Sequence, residues 1–354
     1  MKPIAWGFLV GLLGTGLLLP LGGLRATAQP PQGPAKPLAQ QEPPQGQVSI
    51  SVEVPVVPVE VIASTQHGDI LTGLKKENFR IYEDGVPQTI SNFSPTDAPI
   101  TMVILLEFSR RGYYYYFGEL GKVGAYDFVG HLNQKDWVAL VTFDMKSRVE
   151  ADFTQNKEEI KDAVNHLYFP GFSESNLFDA LLDTVERLKE VKGKKSILLY
   201  ATGVDTFSKH TLDQTLKLLR QSDVTIFSVG VAEDQVERMD ASGQLGSIGR
   251  LGFYQAQNQL RTFAEITGGR AWIPRFLGEM PGIAQDIVAS LRNQYSLAYI
   301  PANRVRDGKF RKIKVELVAP DGSPLTVLDQ KKKKQKIVLY ARQGYIAPKG
   351  NDLN

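Results

Sequence analysis

Val103-Ile104-Leu105-Leu106 is an unbroken apolar run, and a strand that reads this way is buried on both faces. Similar runs return at Val138 to Phe143, Ile197 to Tyr200 and Val224 to Val231. Between them apolar residues fall at helical spacing. One set is Leu120, Val123, Phe128, Val129 and Leu132; a second is Leu177, Leu181, Leu182, Val185 and Leu188; a third is Leu212, Leu216, Leu218 and Leu219. Strand and helix therefore alternate, which predicts an α/β domain over 98–293: a doubly wound, mostly parallel sheet with helices on both faces.

Outward from this core the chain turns to β character. Val48 to Val54 alternates apolar and polar residues and reads as a half-buried strand. The phase shifts near Pro55 to Pro58, after which Val57, Val59 and Val61 share a face. That predicts a bulge on an edge strand, where proline is tolerated. Phe79-Arg80-Ile81-Tyr82 and Gln88 to Phe93 follow as strands, with Asp84-Gly85 as the hairpin turn between them. On the C-terminal side Tyr295 to Ile300, Lys312 to Val318 and Ile337 to Ala341 read as strands, with turns at Asp307-Gly308 and Asp321-Gly322. The β segments 47–97 and 294–348 are expected to pair into one small β-sandwich, which hides edges that neither could cover alone.

The first residues address the chain to a compartment. Lys2 precedes Ile4 to Leu24, which is uncharged and mostly apolar, and Ala26-Thr27-Ala28 fits a small-x-small cleavage site. Residues 1–28 are therefore expected to be a signal peptide, with a mature start at Gln29. The alternative is an uncleaved anchor, since the apolar stretch is nearly long enough to span a bilayer. Either way the protein is exported: periplasmic, held in the cell envelope or secreted. Residues 29–46 are rich in Pro, Gln and Gly and read as a linker.

Composition removes several function classes. A net charge of +3 over 354 residues gives no argument for nucleic acid. With no cysteine, disulfides, thiolate metal sites and cysteine nucleophiles are excluded. His67, His131, His166 and His210 show no HExxH spacing, and Gly-x-Ser-x-Gly and phosphate-binding loops are absent. The expectation is a binding protein and not an enzyme.

In a doubly wound sheet ligands bind at the carboxyl ends of the strands, near the switch point. There Glu107-Phe108-Ser109-Arg110-Arg111 resembles the Asp-x-Ser-x-Ser loop of von Willebrand factor A domains. Asp136 to Phe143 is similar to that family's second central strand, Gly171 to Ala180 to its Gly-x-Thr-x-Leu-x-Asp-Ala segment, and Ser196 to Thr206 to its strand and loop ending in Asp-Gly. Phe263-Ala264-Glu265-Ile266-Thr267-Gly268-Gly269 resembles its late helix and turn. The flanks, from Leu74 to Phe79, Tyr82 to Gln88, Tyr295 to Tyr299, Asp307 to Ile313 and Gly344 to Pro348, resemble exported bacterial "VWFA-related domain" proteins. The resemblance covers about residues 47–348. It implies the von Willebrand A, Rossmann-like fold and a metal-ion-dependent adhesion site, completed by a partner's carboxylate.

The implied site is degenerate in this sequence. Glu107 stands where the family has Asp, Ser109 is retained, Arg111 replaces the second Ser, and Ser175 replaces the Thr and keeps a hydroxyl. Thr202 takes the place of the last Asp, unless the register shifts and Asp205 is the counterpart. Two unit charges about 4 Å apart interact by about 4 kcal/mol at an effective dielectric of 20, and a divalent ion doubles that. Arg111 thus opposes a cation, and Thr202 withholds a compensating charge. The metal site is expected to be lost or weak, with no cofactor and Mg²⁺ disfavoured. The alternative is metal-dependent adhesion through a rearranged site.

A guanidinium of Arg110 or Arg111 could instead grip a partner protein's acidic side chain, as its planar fork suits carboxylates. Tyr113, Tyr114, Tyr115 and Tyr116 follow at once and form a candidate interface, since a helix cannot bury consecutive positions on one face. The expected function is protein–protein interaction or adhesion; the alternative is a structural subunit of a cell-envelope complex with a vestigial site. Lys331 to Lys334 is expected to be a solvated hairpin tip, and is the only membrane-contact candidate besides the signal segment. Asp234 to Gln259 reads as an inserted loop.

Overall fold

The computed structural model describes residues 56–95, 99–109, 114–167, 172–245 and 249–350, with side chains for all of these except 114–120. They fall within one compact unit. The predicted strand Val48 to Val54 and the signal and linker segments lie outside the described residues.

The central sheet has six strands: β5 (Thr101–Glu107), β6 (Trp137–Phe143), β7 (Ser147–Thr154), β8 (Ser196–Tyr200), β9 (Thr225–Val229) and β10 (Ala271–Trp272). Their spatial order is β10-β9-β8-β5-β6-β7. All neighbours are parallel except β6 and β7. β5 explains why its sequence is continuously apolar. Met102, Ile104 and Leu106 enter one core and Val103 and Leu105 the other, each burial being worth about 1.5–3 kcal/mol. On the first face lie α1 (Tyr114–Gly130), α2 (Lys157–Asn165) and α7 (Met280–Arg292). The second face carries α3 (Leu177–Arg187) and α4 (Leu212–Gln221). Among the described residues no helix is long and apolar enough to cross a membrane.

One expectation fails outright here. Asp234 to Gln259 is not a loop: it holds α5 (Glu233–Ala241) and most of α6 (Gly249–Thr267). Glycines and glutamines masked a helical face on which Phe253, Ala256, Leu260 and Phe263 are buried.

The flanking strands form two four-stranded sheets. One has the order β15-β1-β11-β4, from β1 (Val57–Thr65), β4 (Ile90–Ser94), β11 (Tyr295–Tyr299) and β15 (Ile337–Ala341). The other has the order β16-β12-β2-β3, from β2 (Phe79–Glu83), β3 (Val86–Gln88), β12 (Phe310–Leu317) and β16 (Gly344–Ile346). Val59, Val61, Phe79, Ile81, Leu297, Tyr299 and Ile313 share one core between them, so N- and C-terminal strands make one sandwich. A separate hairpin of β13 (Val327–Leu328) and β14 (Lys334–Gln335) carries Lys331 to Lys333 at its exposed tip.

Two strand readings need correction. β1 is an inner strand, not an edge: it pairs with β11 over Val57 to Val61 and with β15 over Val61 to Thr65. Pro58 is tolerated because it lies before the β15 pairing begins, where β1 has a neighbour on one side only. The stretch Gln88 to Phe93 is not a single strand either. The chain makes its hairpin at Asp84-Gly85, both at positive φ, pairs as β3 and then crosses at Thr89 into the other sheet as β4.

Candidate functional site

The chain leaves β5 for β6 on one side and later returns as β8 on the other. The loops beyond Glu107 and Tyr200 therefore meet at the switch point. Glu107 is 1% exposed and reaches across to the end of β8. Its Oε2 accepts from the Thr202 backbone N–H at 2.7 Å and from Thr202 Oγ1 at 2.8 Å. Its Oε1 accepts from Ser109 Oγ at 3.0 Å. Thr202 Oγ1 in turn accepts from the Val204 N–H at 3.1 Å. The turn is held from behind by α6: Gly203 has φ +84°, and a Cβ there would fall 2.1 Å from the Ala256 carbonyl oxygen.

Ser175 is fully buried just before α3. Its backbone is stitched to the neighbouring loop, donating to Thr206 Oγ1 at 3.0 Å and accepting from the Thr206 and Phe207 N–H groups at 2.8 and 3.0 Å. Its Oγ has no hydrogen-bond partner among the described residues. Asp205 turns to the start of α3, where Oδ1 accepts from the Phe178 N–H at 3.2 Å and from Ser208 Oγ. Burial raises its carboxyl above the usual range, against the pull of the Ser208 hydroxyl and the Phe178 N–H. Thr202, not Asp205, is the residue that meets Glu107.

Two further carboxylates organise this edge. Asp144, fully buried after β6, accepts from Arg148 Nη1 and Nη2 at 3.0 and 2.9 Å and from the Lys146 and Phe172 N–H groups. Asp179 on α3 accepts from the Lys209 and His210 N–H groups and lies 2.7 Å from His210 Nδ1. Burial alone would raise its carboxyl, but those N–H groups and the imidazole hold it below 3.8. Asp144 could have been found from its place directly beyond a central strand. Asp179 is the Asp of the segment similar to Gly-x-Thr-x-Leu-x-Asp-Ala, but nothing in the sequence pairs it with His210, which only the fold brings beside it. Among the described residues no three His, Cys, Asp or Glu side chains converge as a metal site.

Arg110, Arg111 and Tyr113 lie outside the described residues. Tyr114, Tyr115 and Tyr116 form the first turn of α1, and their side chains are outside the description.

Residues 122–265 match the model of the von Willebrand factor type A domain. No curated protein matches the chain. Among solved structures the chain is similar to proximal thread matrix protein 1 from the mussel byssus, at 18% identity over 59% of this chain and 51% of that one, with a TM-score of 0.43. It thus spans about half of that protein's length. It is also similar to a von Willebrand factor type A protein from Catenulispora acidiphila, at 13% identity, 83% and 74% coverage and a TM-score of 0.42. A third is the vWF domain of the type V pili tip protein Mfa5 from Porphyromonas gingivalis, at 12% identity, 56% and 97% coverage and a TM-score of 0.38. The matched stretch begins within α1 and ends within α6, so it takes in β6 to β9 with Ser175, Thr202 and Asp205, and this chain therefore carries a von Willebrand factor type A domain.

Proposed function

We propose that the protein is a non-catalytic interaction module that acts outside the cytoplasm. In this reading it recognises a partner protein at the switch-point edge, without a tightly held divalent cation. The observation that carries this is the closed bonding of Glu107. A hard cation needs a shell of oxygen donors, commonly including carboxylates. Here the Ser109 and Thr202 hydroxyl protons are both directed to Glu107, Asp205 serves α3 and Asp144 serves Arg148. Among the described residues at this edge, Ser175 Oγ and Asn176 Oδ1 are left as uncommitted oxygens, neither of them charged, which is a thin donor set. With the cation's role vacant, a guanidinium of Arg110 or Arg111 can supply the positive charge that binds a partner's carboxylate. Export rests on the basic, apolar and small-residue pattern of 1–28.

The test is calorimetry of Mg²⁺, Mn²⁺ and Ca²⁺ against the full chain and against Arg111→Ser combined with Thr202→Asp. The expected result is a silent wild type and a double variant that binds. Wild-type binding at micromolar concentration would overturn the metal-free reading and make adhesion through a rearranged metal site the function.

A further inference from the structure

An open groove lies at the other end of the sheet from the switch point. Because α4 runs from the switch-point loops back to the start of β9, its last turn sits beside the amino ends of the strands. There it faces the outer side of β12 and β16 across an open groove of about 590 Å³, within the size range of ligand sites. We propose that this groove binds an acidic segment of a partner protein, in which a carboxylate is carried next to an apolar side chain. The reading is independent of the switch-point edge.

The groove's charge is one-sided. Lys217 and Arg220 on α4 are three residues apart and share a face; Lys312 reaches in from β12. Among the described residues none of the three is ion-paired with a carboxylate, whereas Lys314, two residues further along β12, is paired with Glu316 at 2.6 Å. The carboxyl ends of helices attract cations, but this end is already served: Arg342 Nη2 donates to the Arg220 and Ser222 carbonyls at 3.3 and 3.0 Å. The Arg220 side chain is thus released from capping and lies over the Phe310 ring, 5.7 Å from its centre.

The floor is apolar and fixed. Phe310, 42% exposed, and the half-buried Ile346 line the groove beside the cations, while Ile313, 5% exposed, is turned to the sandwich core beneath. Gly344 makes room for the ring, since a Cβ there would come within 2.4 Å of it. Inorganic phosphate could use the three charges but not this floor, and an open groove suits a chain segment better than an enclosed small molecule. Two of the cations belong to the α/β layer and one to the sandwich, so a bound segment would bridge the two.

The test titrates the full chain with an equimolar mixture of amidated, acetylated hexapeptides that alternate Asp or Glu with Phe or Leu. Its controls are the Asn/Gln counterparts of the same mixture and inorganic phosphate. Amide shifts of Gly344 and Ile346 are followed by NMR, and affinity by calorimetry. The expected result is saturable binding that moves those amides. It should weaken about tenfold in Lys312→Glu and in Arg220→Gln and fade with added salt, as a charge contact in a groove open to solvent should. Unchanged thermal melts would show that both variants fold. Equal binding by the amide mixture or by the variants, phosphate matching the acidic peptides, or no binding at millimolar peptide would each overturn the proposal.

Discussion

Thr202 donates twice to one oxygen of Glu107, and Ser109 donates to the other. A glutamate is one methylene longer than the aspartate its position resembles, and that length lets a β5 side chain bond the end of β8. The cluster is therefore a strut between parallel neighbours. Glu107→Gln keeps the shape but can turn an amide donor toward donors in a buried place, so it should cost about 1–3 kcal/mol. Thr202→Val removes one donor and the acceptor of the Val204 N–H, and should cost about 1–2 kcal/mol. Urea unfolding of both variants measures this. Losses near zero would mean that these hydrogen bonds add nothing net to stability and that the strut does not hold the two strands.

Among the elements, β1 depends most on distant sequence. Both its neighbours, β11 and β15, come from beyond residue 294, and so does β12, which pairs with β2. Deleting 295–347 should leave the amides of 57–65 and 79–83 exchanging as in an unfolded chain, while β5 and β8 stay protected. Hydrogen exchange by mass spectrometry would show it, and undiminished protection of 57–65 would refute the pairing. The same dependence explains what the sequence could reveal. β5, β6, β8 and β9 are buried on both faces, so apolarity alone marks them. β7 has no such signal because Ser147 to Thr154 is of mixed polarity and, among the described residues, pairs with β6 alone as an edge. That β1 is internal could not be read, because its neighbours come from more than 200 residues away. The flanking motifs were legible for a structural reason. Leu74 N–H meets Tyr295 Oη at 3.0 Å, and Glu83 accepts from Tyr299 and Tyr345 at 2.6 and 3.0 Å, so the most recognisable residues hold the sandwich together. Gly268-Gly269 is similar: Cβ atoms there would strike the backbones of Arg342 and Ile226. The switch-point chemistry was legible as residue types but not as bonds, since the choice between Thr202 and Asp205 turns on a loop path that no local pattern encodes.

At the scale of the whole molecule, the sandwich and the α/β layer meet through groups that would prefer to be neutral. Ile62 of β1 joins the α/β core, and beside it Glu60 lies 3.7 Å from Lys194. Burial pushes the Lys194 ammonium down to about 8, despite the opposing pull of Glu60. Burial likewise raises the Glu60 carboxyl, against the pull of Lys194 and Ser296. For Lys194 the unfolded chain holds the proton more tightly than the fold does, between about 8 and 10.5. Stability should therefore rise with pH through that window, by at most about 3 kcal/mol from this group. For Glu60 the folded state binds the proton more tightly, so its contribution falls as pH rises from 4.5 through the raised value. Replacing one partner alone usually strands the other, but a Glu60 already inclined to protonate is a mild exception. Lys194→Met should thus flatten the alkaline rise while leaving neutral-pH stability equal or higher, whereas Lys194→Met with Glu60→Gln should raise it clearly. Denaturant midpoints from pH 6 to 10.5 would test this. An alkaline slope identical in wild type and Lys194→Met would mean that the ammonium stays hydrated and that the two layers meet across water.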